Sequence, residues 1–190
     1  MKKQSLIIAL LAAAGFMGTS AFAADGTVNI TGELTAVTCS VHGGTPGATT
    51  GDVDVTLPPI PAAKLDVAGK TAGSTGYKIY VGATGETGCA DGTHASVHYE
   101  ASSPAIDSVT GNLKNNTPVA TGGADLVQVQ ISDASATPTA PINLFTNTNS
   151  TPVVVSGNTA ELPFTAQYIS TGAAKVGTVD TAVQYSVVLN

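Results

Sequence analysis

Short segments in which apolar and polar residues alternate recur along the chain, and Gly, Pro or Asn separates most of them. Alternation with a period of two is the pattern of a strand that buries one face and exposes the other. The sequence shows no long segment with the 3.6-residue period of an amphipathic helix. The pattern therefore predicts an all-β sandwich with eight or nine short strands.

The strand boundaries follow from the alternation and from the turn residues that end it. The first strand-like segment is at 27–36. Further strands are predicted at 37–41, 53–57, 77–81, 95–101, 126–131, 142–145, 153–155, 160–169 and 182–190. Residues 62–75 are small and polar, which predicts an irregular connection with one helical turn near 63–67. Pro58 and Pro59 end the segment before them, because proline cannot continue a central strand.

Residues 1–23 have the organisation of an export signal. Lys2 and Lys3 precede an apolar stretch at 6–16, and the small residues around position 22 suit cleavage before Ala24. The alternative interpretation is a membrane anchor, but this stretch is too short to cross about 30 Å of hydrocarbon. We therefore expect residues 1–23 to be removed and residues 24–190 to be exported.

The charge balance argues against two classes of partner. The chain has seven lysines, no arginine and 13 acidic residues. Two lysines belong to the predicted signal, so five remain against 13 acidic residues, a formal charge of about −8. Binding to nucleic acid or to anionic lipid needs basic residues clustered on one face. We expect no nucleic-acid binding, and no membrane insertion, because no later segment approaches 18 apolar residues.

Two cysteines, Cys39 and Cys89, remain after the predicted cleavage. An even number of cysteines in an exported chain is most simply one disulfide bond. Two free buried thiols are the alternative.

Candidate catalytic and metal-binding groupings are weak. His94 and His98 are four residues apart, which in an extended strand is about 13 Å, too far to share one metal ion. Asp52 and Asp54 share a face but have no positioned partner. The chain has neither the G-x-S-x-G context of a nucleophilic serine nor the G-x-G-x-x-G spacing of a nucleotide-binding loop. We therefore expect no enzyme activity, no cofactor and no bound metal.

The segment 24–38 carries an apolar stripe directly after the predicted signal. Its stripe positions are Val28, Ile30, Gly32 and Leu34. Gly32 stands where a strand normally carries a side chain on its apolar face. A short segment of this kind either packs against its own sheet or adds a strand to the sheet of another molecule. Periodicity alone leaves both alternatives open.

Several motifs occur in a characteristic order along residues 24–190. They are D-G-T-V-N-I-T-G-E-L and T-C-S-V within 25–41, V-T-L-P-P-I at 55–60, G-Y-K-I-Y-V at 76–81, L-P-F-T-A-Q-Y at 162–168 and A-V-Q-Y-S-V-V-L-N at 182–190. Together they resemble the type 1 family of pilin subunits, which the chaperone–usher route of Gram-negative bacteria assembles. The resemblance implies an incomplete immunoglobulin-like sandwich that lacks its final strand, with an N-terminal donor-strand arm.

The resemblance also implies a role for each end of the chain. A periplasmic chaperone would fill the hydrophobic groove first, and the arm of the next subunit would replace it at the outer-membrane usher. The arm residues entering the groove would be Val28, Ile30 and Leu34, with Gly32 where the groove is shallow. The strand lining the groove and contacting the chaperone would carry Val183, Tyr185, Val187 and Leu189. Cys39 and Cys89 match the family disulfide, whereas Leu189 departs from the aromatic residue that is frequent in the family at the penultimate position.

The expected organisation is a cleaved signal at 1–23, a donor-strand arm at 24–38 and a pilin sandwich at 39–190. The expected function is that of a structural subunit of a surface fimbria that supports cell adhesion and polymerises with copies of itself or related pilins. With only 15 residues between the signal and Cys39, a shaft subunit is favoured over a tip adhesin. The alternatives are a minor adaptor pilin and a self-contained, lectin-like β-sandwich module, although few aromatic residues are present to stack on sugars.

Overall fold

Two antiparallel β-sheets pack around a shared apolar core in residues 39–190, the part of the chain that this computed structural model describes. The predicted signal at 1–23 and the predicted arm at 24–38 lie outside the described residues. The all-β prediction is confirmed, because helical structure within 39–190 is limited to 3-10 turns at Ala62–Leu65 and Val119–Thr121. No helix in this part of the chain has the length and apolar character needed to cross a membrane.

Nine strands form the two sheets in this range. They are β1 (Val41–Gly43), β2 (Thr71–Val81), β3 (His94–Tyr99), β4 (Leu113–Lys114), β5 (Val127–Asp133), β6 (Ala140–Pro141), β7 (Val153–Val154), β8 (Ala160–Ser170) and β9 (Tyr185–Leu189). The larger sheet has the order β1-β2-β8-β5-β4, with β6 paired to β5. The smaller sheet has the order β7-β3-β9.

The core lies between the inward faces of the two sheets. Phe164 of β8 is buried in it, with its ring centroid 5.5 Å from that of Tyr77 and 6.3 Å from that of Tyr99. Aliphatic side chains from both sheets surround these rings, among them Ile79, Val81, Val97, Val129, Ile131 and Leu162. The alternation of the predicted strands therefore corresponds to real inward and outward faces.

Strand β2 begins six residues earlier than the alternation predicts. Residues 71–76 carry no apolar pattern, yet Thr71 and Ala72 pair with Ile169 and Tyr168 of β8. A register shift follows at Gly73, whose φ of +67° is a conformation that glycine adopts without strain. The pairing depends on backbone groups of β8, so the side-chain pattern could not reveal it.

The predicted strand at 142–145 is wrong. Ile142 and Leu144 are buried, as their apolar character requires, but the chain turns there instead of extending. The side chain of Asn143 accepts hydrogen bonds from the backbone N–H groups of Phe145 and Thr146, each at 3.0 Å. This side-chain contact competes with a strand ladder and stabilises the turn.

The segment 53–57 has the predicted alternation but belongs to neither sheet of the described residues. Its apolar residues, Val53, Val55 and Leu57, are half-buried and pack against the core. Asp52 and Asp54 point to solvent. The pattern therefore predicts the facing of these side chains correctly and their strand pairing wrongly.

Candidate functional site

An open groove of about 1520 Å³ runs along one side of the sandwich. Two stretches of chain line it, which we call the first edge segment (51–57) and the terminal segment (179–189, of which residues 179–187 line the groove). Between them, the lining comes from core-facing side chains of the sheets, including Tyr77, Ile79, Tyr99, Val129, Ile131 and Tyr168. A partly apolar, open cleft of this volume is larger than the roughly 300–1,000 Å³ typical of a small-molecule pocket and could hold an extended peptide.

The terminal segment alternates between half-buried and exposed residues from position 179 to the end. Its half-buried apolar residues from position 183 onward are Val183, Tyr185, Val187 and Leu189. The first three line the groove, whereas Leu189 packs against the core beyond the groove lining. The structure thus brings three of the four predicted groove residues to the groove itself.

The backbone of β9 offers unpaired groups on its outer edge. On its inner edge β9 pairs with β3, where Glu100 N–H donates to Gln184 C=O at 2.9 Å, and His94 and Asn190 exchange two bonds at 2.9 and 3.0 Å. In an antiparallel ladder, alternate residues direct their N–H and C=O groups to opposite edges. The residues whose groups therefore point away from β3 are Tyr185, Val187 and Leu189. No strand of residues 39–190 pairs with that edge.

The side of β3 that faces away from β9 is covered. Strand β7 pairs with His94 and Ala95 of β3. Further along, the side chain of Asn147 accepts a hydrogen bond from Tyr99 N–H at 2.6 Å and donates one to Tyr99 C=O at 2.9 Å. Asn147 thereby satisfies β3 as a neighbouring strand would. Within residues 39–190, β3 is thus covered on both sides, whereas no strand pairs with the outer edge of β9.

Three tyrosines of the groove have satisfied hydroxyl groups. The hydroxyls of Tyr77 and Tyr99 lie 3.2 Å apart and are hydrogen-bonded, and that of Tyr185 donates to the carbonyl of Gly51. Burial raises the pKa of all three tyrosines, so their hydroxyls remain neutral at physiological pH. The Tyr185 contact also ties the first edge segment to β9.

The cysteine prediction is confirmed, because Cys39 and Cys89 form a disulfide bond with their Cα atoms 5.0 Å apart. Next to it, Glu86 accepts hydrogen bonds from the backbone N–H and the hydroxyl of Ser40, each at 2.7 Å. These bonds lower the pKa of Glu86 and keep it ionised. One covalent and one polar link therefore hold the point where residues 24–38 join the sandwich.

Loss of the disulfide is expected to reduce the free energy of unfolding by about 2–5 kcal/mol, since the bond closes a loop of 50 residues. The measurement is denaturant unfolding of the Cys39→Ser/Cys89→Ser double variant. Glu86→Gln is the control, because it weakens the adjacent polar link and leaves the covalent one, so its loss should be smaller. Two reactive thiols per chain in denatured, unreduced wild type would contradict the bond.

The two histidines that are four residues apart lie on one strand, β3. His94 and His98 are both exposed on the outer face of β3. Within residues 39–190 no group of three or more His, Cys, Asp or Glu side chains is arranged to hold a metal ion. The sequence assigned no role in the groove to the first edge segment or to the lining side chains of the sheets. For the first edge segment, the alternation before Pro58 was the available signal.

Comparison with known proteins places these features in a family. The family model "Type-1 fimbrial protein, A" matches residues 57–190. The major fimbrial subunit SMF-1 of Stenotrophomonas maltophilia (strain K279a) is 34% identical over 176 residues, covering 90% of this chain and 96% of that protein. The F17 fimbrial protein of Escherichia coli is 29% identical over 188 residues, covering 98% of each.

Solved structures agree on the fold. The P pilus rod subunit PapA superposes with a TM-score of 0.54 at 13% identity, covering 80% of this chain and 99% of that one. The CupB6 tip adhesin of Pseudomonas aeruginosa superposes with a TM-score of 0.55 at 18% identity, where this chain spans only 37% of the adhesin. The architecture is thus the all-β, immunoglobulin-like fold of chaperone–usher pilins. The chain belongs to the type-1 fimbrial protein family and is a structural pilin, not an enzyme.

Proposed function

We propose that this pilin polymerises by donor-strand exchange. After removal of residues 1–23, the arm at 24–38 of one subunit occupies the groove of the next and completes its sandwich. The support is the coincidence of two features at one place, a partly apolar groove and the outer edge of β9. An incoming strand would gain backbone hydrogen bonds from the edge and burial from the groove.

The chemistry of the arm suits this groove. Val28, Ile30 and Leu34 share one face, and burying each contributes about 1.5–3 kcal/mol. The groove presents matching apolar side chains from its two lining segments, Val53 and Val55 on one and Val183 and Val187 on the other. Gly32 would lie where the groove is too shallow for a side chain.

Before assembly the same groove needs a temporary occupant. We infer that a periplasmic chaperone supplies a strand to the β9 edge and contacts the terminal segment from Val183 to Leu189. An outer-membrane usher then exchanges that strand for the arm of another subunit. The resulting fibre lies on the cell surface and supports adhesion. An exposed edge with an apolar groove is an aggregation hazard, which is the physical reason for a chaperone.

Electron microscopy of producing cells, with an antibody raised against residues 39–190, tests this function. We expect label along the length of surface filaments, as for a shaft subunit. Label confined to filament tips would instead indicate a minor adaptor. A monodisperse monomer that is exported without filaments would contradict polymerisation and favour the self-contained binding module.

A further inference from the structure

Three loops at one end of the sandwich form a continuous surface, which we call the lysine pole. They are residues 61–70, 117–126 and 171–178. Ala174 N–H donates to Leu65 C=O at 2.9 Å, which joins the third loop to the first. Lys175 N–H donates to Asp125 C=O at 3.0 Å, which joins the third loop to the second. The lysine pole is therefore one hydrogen-bonded unit.

The lysine pole is basic although the protein is acidic. Residues 39–190 contain five lysines and eleven acidic residues, and this pole has three of the lysines and two of the acidic residues. Lys70 binds Asp66 with an N–O distance of 2.7 Å. Lys64 and Lys175 are exposed, and neither forms an ion pair with another residue of 39–190. Two amines are thus available to the carboxylates of a second molecule.

The same pole exposes apolar side chains. Within residues 39–190 eight large apolar side chains are exposed, and four of them lie in the lysine pole, namely Val67, Val119, Leu126 and Val176. Exposed apolar side chains that are gathered in adjoining loops are typical of a contact surface. Because lysines accompany them, the partner of this surface should present carboxylates.

The opposite end of the sandwich is acidic. It consists of residues 39–40, 83–93 and 156–159, which we call the acidic pole. The disulfide bond between Cys39 and Cys89 joins the first two stretches, and Asn158 N–H donates to the carboxylate of Asp91 at 2.7 Å. The charged residues of this pole are Glu86 and Asp91, and it contains no lysine. Charge is therefore divided between the two ends of the described part of the chain.

The groove and the arm relate the two poles to each other. The terminal segment follows the lysine pole directly and ends beside the acidic pole, where Asn190 exchanges hydrogen bonds with His94. The arm joins the sandwich at Cys39, in the acidic pole. If the end of the arm nearest Cys39 lies at the acceptor's lysine pole, the donor's acidic pole adjoins that lysine pole. The reverse direction would bring two acidic poles together, which like-charge repulsion disfavours.

We propose that the lysine pole of one subunit binds the acidic pole of the next subunit in the fibre. The amines of the lysine pole attract the carboxylates of Glu86 and Asp91 in the second copy, and the contact covers exposed apolar side chains. It adds to the hold of the arm and favours the direction of insertion that brings opposite charges together. The partner is a second copy of this chain, and the inference rests on the proposed donor-strand exchange.

Zero-length carbodiimide crosslinking of wild-type fibres tests this contact, because it joins a lysine amine only to a carboxylate that touches it. The band of two crosslinked subunits is excised from a heated gel, and its linked peptides are identified by mass spectrometry. We expect links between the poles, from Lys64 or Lys175 to Glu86 or Asp91. Strand β2 has 11 residues and separates the poles of one copy by roughly 30 Å, so such a link joins two copies.

The ion pair of Lys70 and Asp66 within one copy is the positive control for this chemistry. Fibres in which this pair is linked but the poles are not would overturn the inference and leave donor-strand exchange intact. Absence of fibres from wild type would overturn both the proposed function and this inference.

A charge reversal measures what the contact contributes. Lys175→Glu changes the lysine pole, and Lys78→Glu is the control, because it makes the same change in net charge on β2, outside both poles. The measurement is the rate of fibre dissociation in urea, followed as loss of the ladder on unheated gels. At low salt we expect Lys175→Glu fibres to dissociate about threefold faster than Lys78→Glu fibres. At about 1 M salt the difference should vanish, because charges are then screened within about 3 Å.

Equal dissociation rates of these two variants at low salt would overturn the proposal. If Lys175→Glu does not accumulate, Lys175→Gln and Lys78→Gln replace the two variants with the same expected direction.

Discussion

Deletion of residues 24–38 is expected to abolish donation of a strand while leaving a subunit that folds and accepts one. The groove is built from residues 39–190, so its two lining segments persist in the deletion variant. Fibre growth requires every subunit both to accept a strand and to donate one. A fibre would therefore stop growing at the first subunit that lacks the arm. Unheated gels of periplasmic material measure this as loss of the ladder. Ladders of equal length from the deletion variant would show that the arm is not the connector.

A point variant within the arm tests whether polymerisation depends on the shape of the arm as well as on its presence. Gly32→Leu is expected to slow or block polymerisation without harming the subunit's own fold, because a large side chain would collide with a shallow groove. Thr31→Leu is the matched control, since the neighbouring position has the opposite parity in an extended strand. The two variants add the same side chain one residue apart. Equal ladders from both would contradict the assigned facing of the arm.

The second large effect is expected from a charge in the terminal segment. Val187 is half-buried, lines the groove and packs against the core, so Val187→Asp would place an unpaired carboxylate among apolar side chains. Burial of an unpaired charge costs several kcal/mol. We expect no recoverable complex between this variant and its chaperone, and no fibres.

The adjacent residue provides the control for this charge. Val188 is 38% exposed on the outer face of β9, opposite Ser96 of β3. Val188→Asp introduces the same group one residue away and should change the free energy of unfolding by only about 0.5 kcal/mol. The measurement is the yield of chaperone–subunit complex from periplasmic extracts. Normal yield from Val187→Asp, or equal loss from both variants, would contradict the inward assignment of Val187.

The facing of side chains could be predicted from the sequence because it depends only on the local chain. An extended backbone turns successive side chains to opposite faces, whatever it pairs with. The inward positions of the terminal segment and of the segment 53–57 were therefore available from alternation alone. The disulfide was also accessible, since an exported chain with one pair of cysteines has a single intramolecular pairing.

Strand pairing was decided by the tertiary structure, because hydrogen bonds between strands join residues far apart in the chain. Residues 71–76 have no alternation but pair with β8, whereas residues 53–57 alternate and have no partner strand among residues 39–190. At 142–145 a single side chain, that of Asn143, converts an apolar run into a turn. The local pattern of apolar and polar residues contains no information about any of these contacts.

The groove also has features that the sequence predicts and features that only the fold shows. Its apolar residues, and the arm proposed to fill it, follow from period-two alternation in the sequence. Only the fold shows that Asn147 covers part of β3 and that the outer edge of β9 has no partner strand among the described residues. Only the fold shows that the hydroxyl of Thr181 is buried without a partner. Alternation is a property of the extended backbone itself, whereas the satisfaction of a hydrogen-bonding group depends on which distant residues the fold brings beside it.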